Sequence, residues 1–508
     1  MAARDRSLVL MALVVACGAG VPAASPSAPS PRAIDDARAR DLDAFVAMAS
    51  AKLRVPGAAV AVIASGRVVY ERSIGVERVG APDPVTPTTR FLIGSITKPM
   101  TTLMEASLVD TGTVRWDTPI TTLLPGFAVG DPSLTERLVL WHMSCACTGM
   151  PQQDLEYLFE FDGVTAERRI DSMRTMKPIA ALGAEYHYSN LMVAAGGYGA
   201  ARALAPSRSL GDAYDLAMKS RVFDPIGMTD STLDFALVEG GDYAKPHALA
   251  IDGAIREIPL ALERSVLPIR PAGGVWSTLR DMERYVLTEL SRGLSPDGKR
   301  VASEANVVER RKLRIHDGPD GGYGLGIDVG SYDGMPMLAH DGGSLGFGAS
   351  MFMLPDRGVG IVVLTNVRNG GPSEQLPFNA AVKRRIFEAL FDRAEPRAEA
   401  MVDAFVTARR ELDAKRTEGL ERDPDPRWVE SLVGTYANAA LGTVTIRSAA
   451  HGGVFDAGEW SSAFGRTIDA SGAVKVVFVD PPFAGGDVDV VGDTLVVGGT
   501  YVLARKGK

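Results

Sequence analysis

The segment FLIGSITKPMTT, residues 91–102, carries a serine and a lysine three positions apart, Ser95 and Lys98. Met100, Leu103, Met104 and Leu108 recur at helical spacing after the turn permitted by Gly94. Residues three apart on a helix are neighbours, so the Lys98 ammonium is expected beside the Ser95 hydroxyl, a nucleophile with its activator. A helix start adds unpaired backbone N–H groups and a partial positive charge, both of which stabilise an oxyanion. Pro99 is tolerated in a first turn and places that start at Ser95, within a residue or two. Taken alone, the pair better fits a capping serine beside a solvated lysine.

Two further clusters change that balance. Tyr188 and Asn190 precede a small-residue helix in YHYSNLMVAAGGYGAA, and His340 opens HDGGSLGFG at the end of a strand pattern. Each also has a structural explanation: a core tyrosine, a helix cap, and a strand-end histidine bonded to a loop. His142, Cys145 and Cys147 suggest zinc, but no fourth ligand lies nearby, and His142 is assigned a structural role. With one residue between them, the two cysteines are expected to make a poor disulfide pair. His187 is expected to contact solvent or backbone. Gly342-x-Ser344-x-Gly346 matches a nucleophile elbow, which requires a strand, a turn and a helix. The residues that follow read as another strand, and only His451 remains downstream, so Ser344 is set aside.

The elements that must position these residues follow from periodicity. Residues 36–53 have helical spacing, and VPGAAVAVIASGRVVYERSIG reads as a hairpin turning at Ser65 and Gly66. From Thr97 to about residue 205 the pattern is mostly helical. Strands resume in PMLAHDGG, ASMFMLP and VGIVVLTN, followed by an amphipathic helix through Phe391. Both ends of residues 36–392 therefore build one antiparallel sheet around an inserted helical lobe, an α/β (α+β) fold whose Ser95 helix begins where sheet meets lobe. Such a junction is a natural cleft. Residues 393–427 form a charged linker that is expected to carry a surface helix around AMVDAFVTARRELDAKR and ends in DPDPRW, and residues 428–508 alternate in short runs expected to make a small β-sandwich or barrel.

The 508 residues are 46% hydrophobic and 23% charged, ordinary for a globular protein, and a net charge of -8 offers nucleic acid no attraction. Arg4 and Arg6 precede the apolar run 8–16, which has the layout of an export signal within residues 1–24 and is too short to span a bilayer. The run ends VVACGAG, which resembles a bacterial lipobox with Cys17 as the acylated residue; simple cleavage after Ala23 is the alternative. Residues 25–35, rich in proline and serine, would form a tether. The expected location is periplasmic, anchored through Cys17 or secreted.

In order and spacing, Ser95-x-x-Lys98, Tyr188-x-Asn190 and His340-x-Gly342 resemble the three active-site motifs of the serine β-lactamase and D-alanyl-D-alanine peptidase superfamily, in its class C-like branch. LLPGF, FDPIGMTDST, PAGGVWSTLRDM and GYGLGI extend the resemblance over roughly residues 36–392, and the tail from LVGTYAN resembles a lipocalin-like module. The resemblance implies that Ser95 forms an acyl-enzyme while Lys98 and Tyr188 share the proton, either of them being the base. It implies an oxyanion hole from the backbone N–H groups of Ser95 and Gly343. Asn190, His340 and Gly342 would contact substrate, with no metal or cofactor.

Related β-lactamases carry Lys-Thr-Gly as the third motif, where this chain has His340, Asp341 and Gly342. A carboxylate at Asp341 would repel a substrate carboxylate if it faced the cleft; on an alternating strand it can also point away. The expected activity is therefore hydrolysis of esters or of amide bonds in D-amino-acid peptides. β-Lactamase or D,D-carboxypeptidase activity is the nearest alternative, and a non-catalytic envelope-binding protein the alternative of another class.

Overall fold

The computed structural model describes residues 30–368, 376–391, 396–469 and 471–507. The segment expected to be an export signal, Cys17 and part of the expected tether lie outside these residues.

Eight strands form the main sheet: β1 (Gly57–Ala64), β2 (Arg67–Gly75), β3 (Ile315–Gly318), β4 (Gly321–Tyr323), β5 (Asp328–Tyr332), β6 (Met335–Gly343), β7 (Gly348–Leu354) and β8 (Val359–Thr365). Their spatial order is β2-β1-β8-β7-β6-β5-β4-β3. β1 pairs antiparallel with β8, Val60 opposite Val363, so the two ends of the domain do meet in one sheet. The hairpin between β1 and β2 turns through Ser65 and Gly66, both at positive φ, the geometry that matches strand twist.

Alternation along β1 explains the layering. Ala58, Val60 and Val62 face an outer core with Phe45 and Val46 of helix α1 (Asp36–Leu53), while Ala59, Ala61 and Ile63 face the inner core shared with the lobe. With both faces covered, the strand is apolar throughout. The lobe contributes helix α2 (Thr97–Asp110), buried on nearly all sides, the short helix α3 (Leu155–Phe159) and helix α4 (Asn190–Leu204). Helix α5 (Pro377–Phe391) returns to the outer face beside α1.

Three features depart from the sequence reading. Strands β3 to β5 extend the sheet beyond the strands read from the sequence, because their short, glycine-rich runs carry little apolar alternation. The helix expected on the surface of the charged segment, α6 (Ala398–Thr417), instead docks by Ala398 and Val402 into the outer core, and Asp403 accepts from Lys52 at 2.6 Å. Cys145 and Cys147 are joined in a disulfide, against the expectation of a poor pair. Ala146 between them takes a left-handed φ of 52°, and the Cα atoms are held 5.1 Å apart, within reach of the bond.

The C-terminal strands β9 (Gly434–Asn438), β10 (Gly442–Ser448), β11 (Gly453–Asp456), β12 (Ser461–Ile468), β13 (Val474–Phe478), β14 (Asp487–Val491), β15 (Thr494–Val497) and β16 (Tyr501–Arg505) close into a barrel. Closure comes from the pairing of β9 with β16. Val444, Ile446, Phe455, Phe464, Val476 and Leu503 fill its interior.

Candidate active site

The helical wall of the site begins at the turn Gly94–Ile96, which leads into α2. Gly94 has φ 52°, and a Cβ there would stand 2.7 Å from the Gly343 nitrogen, so only glycine lets the turn approach the strand. Half-buried Ser95 sits at this junction, and Lys98, fully buried, lies one turn on. Lys98 Nζ donates to Ser95 Oγ at 2.9 Å, to Asn190 Oδ1 at 2.7 Å and to the Ala272 carbonyl at 2.6 Å. Three acceptors match the three N–H bonds of an ammonium, which is how a buried cation is kept. Tyr188 Oη donates to Ser95 Oγ at 2.9 Å, and its ring lies 4.7 Å from Lys98 Nζ. Burial pushes the Tyr188 phenol well above its ordinary pKa, against the opposing hydrogen bond to Ser95, so the resting group is a neutral phenol.

The strand wall is the end of β6. His340 is buried; its Nε2 accepts from Tyr323 Oη at 2.7 Å and its Nδ1 donates to the Asp341 carbonyl at 2.7 Å. Desolvation first, and the Lys98 charge second, lower its pKa to about 4, so it is neutral near pH 7. A Cβ on Gly342 would lie 2.0 Å from the Ile93 carbonyl and 3.1 Å from the Ser95 nitrogen. The bare backbone of residues 342–343 is thus pressed against the Ser95 turn.

Asp341 lines the cleft and also turns to α5, where Lys383 Nζ donates to it at 3.0 Å. Burial alone would raise its carboxyl, but Lys383 and Ser350 outweigh that and hold it below the usual range. The charge feared as repulsive is therefore paired.

The other candidates lie apart from Ser95. His142 accepts from the Val139 amide at 3.2 Å and stacks on Trp141. His187 bonds Glu185 at 3.3 Å, and its amide donates to the Ala146 carbonyl at 2.8 Å. Ser344 stands in a turn between β6 and β7, where no helix follows, and its hydroxyl accepts from the Phe347 amide at 3.1 Å. His451 is exposed on the barrel and bonds Asp423.

The structure adds residues that no spacing signalled. Asp154 accepts from Asn190 Nδ2 at 3.1 Å, orienting the amide whose oxygen meets Lys98. Gln152, Asp154, Tyr157, Asp328 and Arg368 line a cleft of about 230 Å³ together with Ser95, Tyr188 and His340. Burial, then the neighbouring Asp341 and Asp317 carboxylates, raise Asp328 to about 7. A Cβ on Gly343 would meet Arg368 Nε at 3.4 Å, placing one guanidinium at the strand end.

A family model described as Beta-lactamase matches residues 42–385. The unguisins hydrolase ungD' of Aspergillus campestris is 28% identical over 329 residues, 61% of this chain and 58% of its own length. Penicillin-binding protein 4 of Amycolatopsis lactamdurans is 29% identical over 319 residues, 61% of this chain and 81% of its own. The D-alanyl-D-alanine-carboxypeptidase/endopeptidase AmpH of Escherichia coli is 26% identical, with 61% and 78% covered. The match thus spans less than two thirds of the unguisins hydrolase. The octameric penicillin-binding protein homologue from Pyrococcus abyssi superposes with TM-score 0.61 at 19% identity, covering 92% of this chain and all of that one, a likeness of fold.

Proposed function

Since the chain belongs to the beta-lactamase family of serine hydrolases, which act through an acyl-enzyme, we propose that Ser95 is its nucleophile. The observation that carries this reading is the convergence of Lys98 Nζ and Tyr188 Oη on Ser95 Oγ, each at 2.9 Å. In the reacting form the Lys98–Tyr188 pair has lost one proton to solvent; Ser95 attacks a carbonyl carbon and its proton enters the vacated site on the pair. The carbonyl oxygen gathers charge against the backbone N–H groups of Ser95 and Gly343. The pair returns a proton to the leaving group, and water then releases the acyl group by the reverse relay. Asn190 holds Lys98 and, with His340 and Gly342, borders the substrate.

The substrates we propose are esters or amide bonds of D-amino-acid peptides. Asp154 on the cleft wall favours substrates without a free carboxylate near Ser95. Arg368 supports the second reading, β-lactams or D-alanyl-D-alanine termini, because its guanidinium stands beside the strand end where a substrate carboxylate would lie. We place the protein outside the cytoplasm on the strength of Arg4, Arg6, the apolar run 8–16 and Cys17. Among the described residues no helix is long and apolar enough to cross a membrane.

The test is intact-mass analysis after exposure to benzylpenicillin or to a fluorophosphonate, with peptide mapping. A fluorophosphonate adduct on Ser95, absent from Ser95→Ala, is the expected result. A penicillin adduct at the same residue selects the second reading, and labelling that survives Ser95→Ala removes Ser95 from the mechanism.

A further inference from the structure

The wall of the cleft opposite β6 is borne by a segment that the barrel holds. Helix α3 spans five residues, too short to be stable alone. Gln152, Asp154 and Tyr157 of this stretch line the cleft. On its far side the barrel supplies the partners that its backbone lacks. Glu459 Oε1 accepts from the amides of Phe161 and Asp162 at 2.9 and 2.8 Å. Trp460 Nε1 donates to the Leu158 carbonyl at 3.1 Å, one of the carbonyls a helix end leaves open.

Apolar contacts run the same way. The Phe159 ring meets Trp460 at 5.3 Å between centroids, and Phe159, Phe161 and Leu262 of the lobe are buried in one cluster with the barrel's Val444 and Phe455. Leu345, just beyond the β6 strand end, packs against that cluster too. The lobe anchors the segment at Glu160, where Arg168 donates to the carboxylate at 2.6 Å and Arg169 to the carbonyl. From α3 the contacts continue inward: Asp154 takes the Asn190 amide, and Asn190 takes Lys98.

We propose that the C-terminal barrel is part of the substrate cleft, with Glu459 and Trp460 as positioning residues that hold segment 152–162 and thereby set which acyl groups reach Ser95. This rests on Ser95 being the nucleophile. The barrel touches no reacting atom; it fixes a wall. Its loss at one contact should therefore alter binding of large acyl groups and spare small ones.

The test compares full-length wild type with Glu459→Ala, Glu459→Gln and Ser95→Ala on p-nitrophenyl acetate and p-nitrophenyl phenylacetate. In Glu459→Ala, KM for the phenylacetate should rise about 10-fold while KM for the acetate moves less than about twofold, since misplacing a wall penalises only groups that touch it. Glu459→Gln keeps an oxygen that accepts both amides and should restore wild-type selectivity. Should Glu459→Ala not fold, Trp460→Phe, which keeps an aromatic ring but loses the indole N–H, should show the same selective rise. Equal shifts on both esters, or no shift, overturn the proposal. Turnover that persists in Ser95→Ala, or its absence from wild type, overturns instead the reading of Ser95 on which it rests.

Discussion

The two walls that meet at Ser95 hold buried bases of opposite character. Lys98 on the helical wall faces three oxygens, those of Ser95, Asn190 and Ala272, and all three accept. His340 on the strand wall faces one donor, Tyr323 Oη, and one acceptor, the Asp341 carbonyl. A buried group keeps the protonation state its partners can satisfy: three acceptors suit an ammonium, and one donor with one acceptor suits a neutral imidazole. The helical wall therefore holds the buried charge and, in the proposed mechanism, the proton traffic, while the strand wall would supply shape and backbone amides.

The sharpest way to break this contrast is Lys98→Met. It removes the charge from the proposed proton pair, and kcat should fall by about 10³-fold or more with the circular dichroism spectrum retained. Activity within tenfold of wild type would move the proton traffic elsewhere. Tyr188→Phe keeps the ring over Lys98 and loses the hydroxyl; a fall of kcat by about 10²- to 10³-fold is expected from steady-state kinetics on an activated ester.

The strand wall makes a prediction about stability. An unfolded imidazole takes up its proton near 6.5, whereas folded His340 resists protonation down to about 4. Its contribution is thus fully present above pH 6.5 and is lost as pH falls from 6.5 towards 4, by roughly 3 kcal/mol. Urea unfolding of His340→Gln across that window should show a shallower loss than wild type by about this amount. Parallel curves would mean that the imidazole is not held neutral.

The smallest effect concerns the Cys145–Cys147 bond, which lies below the helical wall with Ala146 accepting the His187 amide at 2.8 Å. A ring closed over so few residues restricts the unfolded chain little, so Cys145→Ala with Cys147→Ala should cost less than about 2 kcal/mol and leave KM unchanged. A large rise in KM would show that the bond shapes the approach to Tyr188.

How far these walls could be read from the chain depends on the range of the interactions that make them. Ser95 and Lys98 meet because a helix brings positions three apart together, a local rule written in the apolar spacing of Met100, Leu103 and Met104. Strands β1 and β8 are legible from their uninterrupted apolar runs, the hairpin from Ser65 and Gly66, and the barrel from alternation. That Tyr188, Asn190 and His340 would gather around Ser95 was legible only through the resemblance of three motifs, since periodicity says nothing about residues about a hundred or more positions apart.

Tertiary structure alone decided the rest. Asp154 lies in a stretch with no motif, and its role appears only where Asn190 points a free N–H bond at it. Whether Asp341 repels or is neutralised depended on Lys383, which the register of β6 and the docking of α5 place 3.0 Å away. The disulfide required Ala146 to adopt a left-handed φ, which a rule based on sequence separation overlooks. Local spacing thus determined which groups the chain could offer for chemistry. Their charge and orientation came from partners distant in sequence, because desolvation and hydrogen bonding act between whatever groups packing brings into contact.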